Sequence, residues 1–325
     1  MEKQIYRISS TALGNSACML HFDRQVRFGY KAPLMDAKMV YGVAFHKFME
    51  GMYTHGDMVR VRKATRAAFD IPKDEDKKSQ HYNDFNHLWS VCLTTWEDWV
   101  LKDSTFEVMA IDGVSLVEQT FELEYYEDDY IKVYLCGTLD TIGKIQGGCY
   151  AIRDWKTTST WDAKSYMHKY DMSRQLRFYR LALRIMHERD PESVLGKIGG
   201  QVVGAFIDGV FVKANMNEVT WARSSCYQYS DASIALFRIQ LDKFINRLST
   251  DWQDHEYSQL GAVEYQQIRF GKQGLINGAC EGKYGKLCPF FNVCAAPEQH
   301  SELLLKRDFI QVPFNPADYN NLGDI

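Results

Sequence analysis

The sequence predicts an α/β fold, a small mixed sheet flanked by helices. Helix-periodic stretches stand on both sides of a run of alternating, strand-like segments. A glycine turn, Gln146-Gly147-Gly148, separates two of those segments, which is a hairpin signal. A further strand-like run is interleaved between two long helices, so the order suits a mixed core better than separate α and β domains. With 325 residues, 46% hydrophobic and 25% charged, the chain can bury a large core and has ordinary globular composition.

In chain order, Ser9-Ser10-Thr11 caps a short helix running to about Cys18. Gly42 to Tyr53 (GVAFHKFMEGMY) reads as a helix, and 57–110 reads as mostly helical with a solvated break at Lys73–Lys78. Ser115–Tyr126, Tyr130–Gly143 and Cys149–Lys156 alternate as strands, and Gln201–Val212 is another. Asp171–Arg189 is a strong helix stopped by Asp190-Pro191, and Ser230–Asp251 is a second long one. Glycines and cysteines cluster from Gly271 on, and the tail after Cys294 is irregular.

The totals exclude several classes. The apolar runs fall short of a membrane span, and the opening MEKQIYRISS lacks the apolar stretch of a signal peptide, so a cytoplasmic protein is expected. Its eight cysteines then read as thiols or metal ligands. The formal net charge of −4 argues against a polybasic coat, though a local basic groove remains compatible with it. No G-x-x-x-x-G-K-[ST] motif occurs, so no ATP motor of its own is expected.

The stretch AIRDWKTTS, Ala151 to Ser159, carries the chemistry. If the turn centres on Gly147, Asp140 and Asp154 stand opposite each other, with Cβ atoms roughly 5 Å apart. Lys156 shares a face with Asp154. Opposed acids are destabilising unless something positive lies between them, and a divalent cation such as Mg²⁺ or Mn²⁺ meets that need. An exposed hairpin face with surface acids is the other reading of the same triplet.

The ordered set GVAFHKFME, LVEQTFE, GTLDTIGK, IRDWKTTS and QLRFYRLAL resembles the PD-(D/E)XK nuclease superfamily, in its RecB-like branch with CRISPR-associated RecB-like exonucleases. The resemblance runs from about Ser9 to Cys294. It implies a restriction-endonuclease-like core with an iron–sulfur lobe joining the N- and C-terminal segments. The implied domains are an N-terminal segment (1–40), a nuclease core (41–265, with a helical insertion near 55–110), a cysteine segment (266–297) and a tail (298–325).

It also implies roles. His46, Asp140, Asp154 and the Trp155 backbone carbonyl would hold Mg²⁺ or Mn²⁺, and Lys156 would be the catalytic lysine beside Asp140 and Asp154. Glu118 would support them. Gln175 and Tyr179, one helical turn apart, would meet DNA. Met172, Leu176, Tyr179, Leu183 and Met186 form the apolar stripe of that helix. Arg174, Arg177, Arg180 and Arg184 form a basic stripe that reads equally as a phosphate track or a solvated face.

Cys18 with Cys280, Cys288 and Cys294 matches the branch's one-early, three-late [4Fe–4S] pattern, zinc being the structural alternative. The first gap is seven residues where the family has two, which makes Cys280 the odd member. Cys92, Cys136, Cys149 and Cys226 read as buried thiols.

The implied activity is a metal-dependent DNA exonuclease acting on single strands or free ends, in phage or bacterial recombination, repair or replication. It would work in the cytoplasm (the host's, if phage-encoded). A replication or recombination partner and a homo-oligomer are compatible with it. The alternative is a non-catalytic iron–sulfur DNA-binding subunit of a helicase–nuclease or CRISPR adaptation complex.

Overall fold

A computed structural model describes residues 3–31, 37–69, 80–159, 162–171, 173–212, 219–258, 280 and 288–312. The chain divides into two compact units. One, the cysteine unit, comprises Met1–Met35, Phe121–Gly137 and Leu236–Pro316; the other, the hairpin unit, comprises Asp36–Thr120, Thr138–Ala235 and Ala317–Ile325.

In the cysteine unit, β1 (Gln4–Ile8) pairs in parallel with Ile131–Leu135 of β7 (Ile131–Ile145). The Ser9 side chain caps α1 (Ser10–Asn15) by accepting from the Ala12 amide, as Ser9-Ser10-Thr11 suggests. Next, α2 (Met19–Phe22) runs directly into a π-helical turn, Asp23–Arg27. Near the end of the chain, α10 (Phe291–Ala295) and α11 (Glu298–Asp308) precede β11 (Ile310–Gln311), which pairs with β2 (Tyr30–Lys31). As far as residue 312 the stretch after Cys294 is thus a helix and a short strand, not irregular; 313–325 lie outside the described residues. Its apolar residues explain why: Phe290, Val293 and Leu305 are buried together, with Cys288 and Cys294 against them.

The hairpin unit begins with α3 (Ala37–Thr54), α4 (Met58–Ala68) and α5 (Gln80–Thr95), the last passing into a π-helical turn at Trp96–Val100. The break at Lys73–Lys78 lies outside the described residues. The helical reading of 57–110 fails at its end, where β3 (Phe106–Val108) and β4 (Ala110–Ile111) are strands. Their pairing is tertiary: β3 runs antiparallel to the end of β7, and β4 to β5 (Val114–Ser115). β6 (Val117–Glu127) then carries Glu118 as its second residue.

The expected hairpin forms between β7 and β8 (Tyr150–Thr158). Gly147 and Gly148 have φ of 91° and 82°, values open to glycine at little cost. β8 lies parallel to β9 (Val202–Val212), which is antiparallel to β10 (Val219–Arg223), so this sheet is mixed. Helices α6 (Ala163–His168), α7 (Arg174–Arg189) and α8 (Val194–Gly199) connect β8 to β9. Ser173 caps α7 by accepting from the Leu176 amide, which places the start three residues later than Asp171. α9 (Asp231–Ser258) is the second long helix.

Trp155, Phe45, Phe48, Phe85 and Leu88 share one buried apolar cluster that seats α3 and α5 on β8. Leu176, Tyr179 and Leu183 of the predicted α7 stripe are buried, Met186 is half-buried, and Met172 lies outside the described residues. Of the four thiols read as buried, Cys92 and Cys136 are; Cys149 is exposed beside the glycine turn and Cys226 half-buried. Among the described residues, no helix is long and apolar enough to cross a membrane.

Candidate metal centre and active site

Every predicted residue of the nuclease site lies in the hairpin unit. The β7–β8 register pairs Thr141 with Arg153, Ile142 with Ile152 and Gly143 with Ala151, so the next pair outward is Asp140 and Asp154. Alternation then turns Arg153 and Trp155 to the opposite face. The Trp155 amide donates to Asp140 Oδ2 at 2.7 Å, fixing one acid to the strand that carries the other.

His46 reaches the same place from α3. Its Nδ1 lies 3.2 Å from Glu118 Oε1 and 3.5 Å from Asp140 Oδ2. His46, Glu118 and Asp140 bring their ligand atoms within 4.8 Å of one another, the one such group among the described residues. Glu118, expected only to support the site, thus stands beside the other two. Its φ of 47° lies in the left-handed region, which costs an L-residue roughly 1–2 kcal/mol and recurs at functional positions. A donor set of one imidazole and carboxylate oxygens suits a hard divalent ion such as Mg²⁺ or Mn²⁺.

Asp154 is fully buried and Lys156 part-exposed, and Lys156 Nζ sits 2.5 Å from Asp154 Oδ2. Gln175 Nε2 lies 3.0 Å from Asp154 Oδ1 and 3.1 Å from the Tyr179 hydroxyl. The α7 pair expected to meet DNA therefore also fastens the second acid. In contrast, three of the four α7 arginines are engaged within the protein. Arg180 donates to the Gly199 carbonyl, Arg184 pairs with Glu188 and Asp231, and Arg177 donates to the Ser173 carbonyl. Arg184 is 46% exposed and its partners Glu188 and Asp231 lie at the surface, as the solvated-face reading has it.

The electrostatics follow from burial and crowded charge. Burial pushes the Asp154 carboxyl up to about 6; Lys156 opposes this and the Asp140 charge adds to it. Burial likewise raises Asp140, against the pull of His46. Burial disfavours the His46 imidazolium, but Asp140 and then Glu118 outweigh it and carry His46 up to about 9. Lys156 is raised although burial opposes its charge, because Asp154 and Asp140 hold the ammonium. His46 thus carries a proton at neutral pH, held by Asp140 and Glu118.

A family model for the PD-(D/E)XK nuclease superfamily matches residues 10–295. The chain belongs to the PD-(D/E)XK nuclease superfamily. No curated protein matches it. A solved structure described as "Crystal structure of SSO0001" is similar at 13% identity over 64% of this chain and 86% of that one; its TM-score of 0.24 is too low to bear on fold or function. As a nuclease-superfamily member, the chain has nucleic acid as its implied substrate class. His46 and Lys156 are 27% and 24% exposed at the side chain, against 9% for Asp140 and 0% for Asp154.

Sequence reasoning missed what lies behind the hairpin. Arg153, 1% exposed, shares a buried ionic network with Asp208, Asp103 and Arg223. Arg223 grips both oxygens of Asp208 at 2.6 Å and reaches Asp103 at 2.7 Å. Arg153 also donates to the Tyr53 hydroxyl and lies over the Phe106 ring, 4.2 Å from its centroid. The available signal was Arg153 itself, since an arginine on the inward face of a strand needs buried acids.

The four cysteines of the predicted cluster lie in the cysteine unit. Burial, with smaller contributions from Cys18, Cys294 and Cys280 and against a backbone hydrogen bond at Phe290, raises the Cys288 thiol to about 11. The Cys288 amide donates to the Cys280 carbonyl at 2.9 Å, despite the seven intervening residues. Cys288 Sγ is 3.6 Å from His21 Nδ1, and Cys294 Sγ is 3.1 Å from Arg24 Nη1.

Proposed function

We propose that the chain is a metal-dependent deoxyribonuclease of the RecB-like branch, acting as an exonuclease on single strands or free ends in DNA recombination, repair or replication. The observation that carries this is the meeting of His46, Glu118 and Asp140 beside the Asp154–Lys156 pair. In this reading His46, Asp140, Asp154 and the Trp155 carbonyl hold Mg²⁺ or Mn²⁺, with Glu118 adjoining. The bound ion supplies Lewis acidity and an activated water for in-line attack. Lys156 offsets the charge that develops on the phosphate oxygens, and Asp154 keeps its ammonium aimed there. Gln175 holds Asp154, Tyr179 accepts from Gln175, and the two would meet the approaching strand. A non-catalytic subunit would have lost an acid or the lysine, and this chain keeps both.

Cys18, Cys280, Cys288 and Cys294 would hold a [4Fe–4S] cluster that ties the early segment to the late one. A tetrahedral zinc at about 2.3 Å from each sulfur needs sulfurs only about 3.8 Å apart. No three of these cysteines bring their sulfurs within 4.8 Å of one another. A cubane cluster places iron and sulfide between its thiolates and suits wider spacing.

The test is incubation of the anaerobically purified chain with end-labelled single-stranded DNA under Mg²⁺, Mn²⁺ or EDTA. A product ladder from one end, lost with EDTA and with Lys156→Ala, is expected. DNA binding with no cleavage under either metal overturns the catalytic reading. Iron and sulfide analysis of the same sample tests the cluster.

A further inference from the structure

Arg24 is a buried cation with no acid at ion-pair distance among the described residues. It lies in the π-helical turn after α2 and is 1% exposed. Its neighbour Asp23 pairs with Arg27 at 3.5 Å. Among the described residues, no carboxylate lies at ion-pair distance from Arg24. Its Nη1 points at Cys294 Sγ at 3.1 Å, its guanidinium carbon lies 5.5 Å from the Phe290 ring centroid, and its Nε has no acceptor among the described residues. A guanidinium stays charged in any protein setting, and burying it against neutral groups is costly. The side chain is built toward negative charge that the described residues do not supply. Four thiolates around a metal centre carry such charge, because a coordinated thiol is deprotonated.

We propose that Arg24 is a positioning residue of the four-cysteine centre, donating to the Cys294 sulfur and compensating the negative charge of the loaded centre. This rests on the cluster reading above. Two consequences follow. An N–H···S bond and a nearby cation favour the more negative, reduced form, so Arg24 raises the reduction potential of the cluster. Without the centre, the same charge is unmatched and destabilises the fold. An apolar residue of similar length therefore weakens the loaded protein yet strengthens the unloaded one. A merely structural arginine would move both stabilities the same way.

The experiment uses the full chain, purified without oxygen, as wild type, Arg24→Met and Arg24→Lys. Iron and sulfide content, the visible spectrum, a spectroelectrochemical titration and the rate of bleaching by a chelator are measured. Thermal melts are recorded before and after iron removal. Arg24→Met is expected to have a more negative potential and to bleach several-fold faster, and its iron-free form to melt above the iron-free wild type. Arg24→Lys, which keeps the charge, is expected to bleach more slowly than Arg24→Met. Iron-loaded wild type and Arg24→Met with equal potentials and bleaching rates overturn the role of Arg24 alone. Lower melting of Arg24→Met in both states does the same, and Arg24→Lys bleaching as fast as Arg24→Met refutes the charge argument should the methionine variant not fold. A wild type that holds no iron overturns the cluster reading and this one together, and iron content separates that result from the others.

Discussion

Binding of a divalent ion to this site should expel a proton from His46. A histidine ligates through a neutral imidazole. In the metal-free protein Asp140 and Glu118 hold His46 up to about 9. At pH 7 that leaves it roughly 99% protonated, so ion binding must release close to one proton. Two pH units at about 1.36 kcal/mol each make the handicap about 2.7 kcal/mol, on the order of a hundredfold in affinity. The apparent association constant should then climb about tenfold per pH unit from 7 to 8 and level off above about 9. Asp154, raised to about 6, adds only about a tenth of a proton at pH 7 but about half of one at pH 6. Calorimetric titration with Mn²⁺, in buffers of different ionisation enthalpy at fixed pH, counts the protons directly. His46→Ala should reduce the count at pH 7 to about a tenth. A wild-type count below about one third, or an unchanged count in His46→Ala, would refute the reasoning. The same shift has a consequence without metal. The folded value lies above the unfolded 6.5, so the His46 contribution to stability is full below pH 6.5 and is lost as pH rises through about 9.

Gln175→Leu removes the hydrogen bond to Asp154 at 3.0 Å; metal affinity should fall about 10–100-fold with nucleic-acid affinity little changed, and a pure loss of nucleic-acid affinity would return Gln175 to strand contact alone. Arg223→Met leaves Asp208 and Asp103 buried with Arg153 as their one remaining cation among the described residues; stability should drop by about 3–5 kcal/mol in urea unfolding, and a drop below about 1 kcal/mol would mean the network is dispensable. Gly143→Ala puts a Cβ 2.4 Å from the Glu107 carbonyl oxygen; the urea midpoint should fall by the equivalent of about 1–3 kcal/mol, and an unchanged midpoint would show that β3 yields freely.

The hairpin was legible because two local facts determine it. Gly147 and Gly148 supply the only backbone freedom a tight turn needs, and period-two alternation then dictates which residues face each other. The α3 histidine was legible only through resemblance, since nothing in GVAFHKFME shows which way His46 points. Residues 106–111 were misread because a strand so short has no period of its own, and its identity rests on pairing with β7 and β5. The Arg153 network was invisible for a related reason: Asp103, Asp208 and Arg223 lie 50 or more residues from Arg153, and no local pattern binds them. Glu118 escaped full weight because its φ of 47° breaks the alternation of β6, so face-counting along that strand does not locate its carboxylate.

The placement of Glu118 changes the charge balance of the site. Three carboxylates, Glu118, Asp140 and Asp154, face two cations, protonated His46 and Lys156. The metal-free site is therefore one negative charge in excess even with His46 fully protonated. Exchanging the His46 proton for a divalent ion brings the set to neutrality, with Lys156 still paired to Asp154. Without Glu118 the metal-free site would already be neutral, and loading the ion would leave an excess positive charge. Neutralising Glu118 should therefore weaken retention of a divalent ion even if it never touches the ion. Through that balance a residue on β6, outside the hairpin, would share control of a bound ion with the two acids that the hairpin presents.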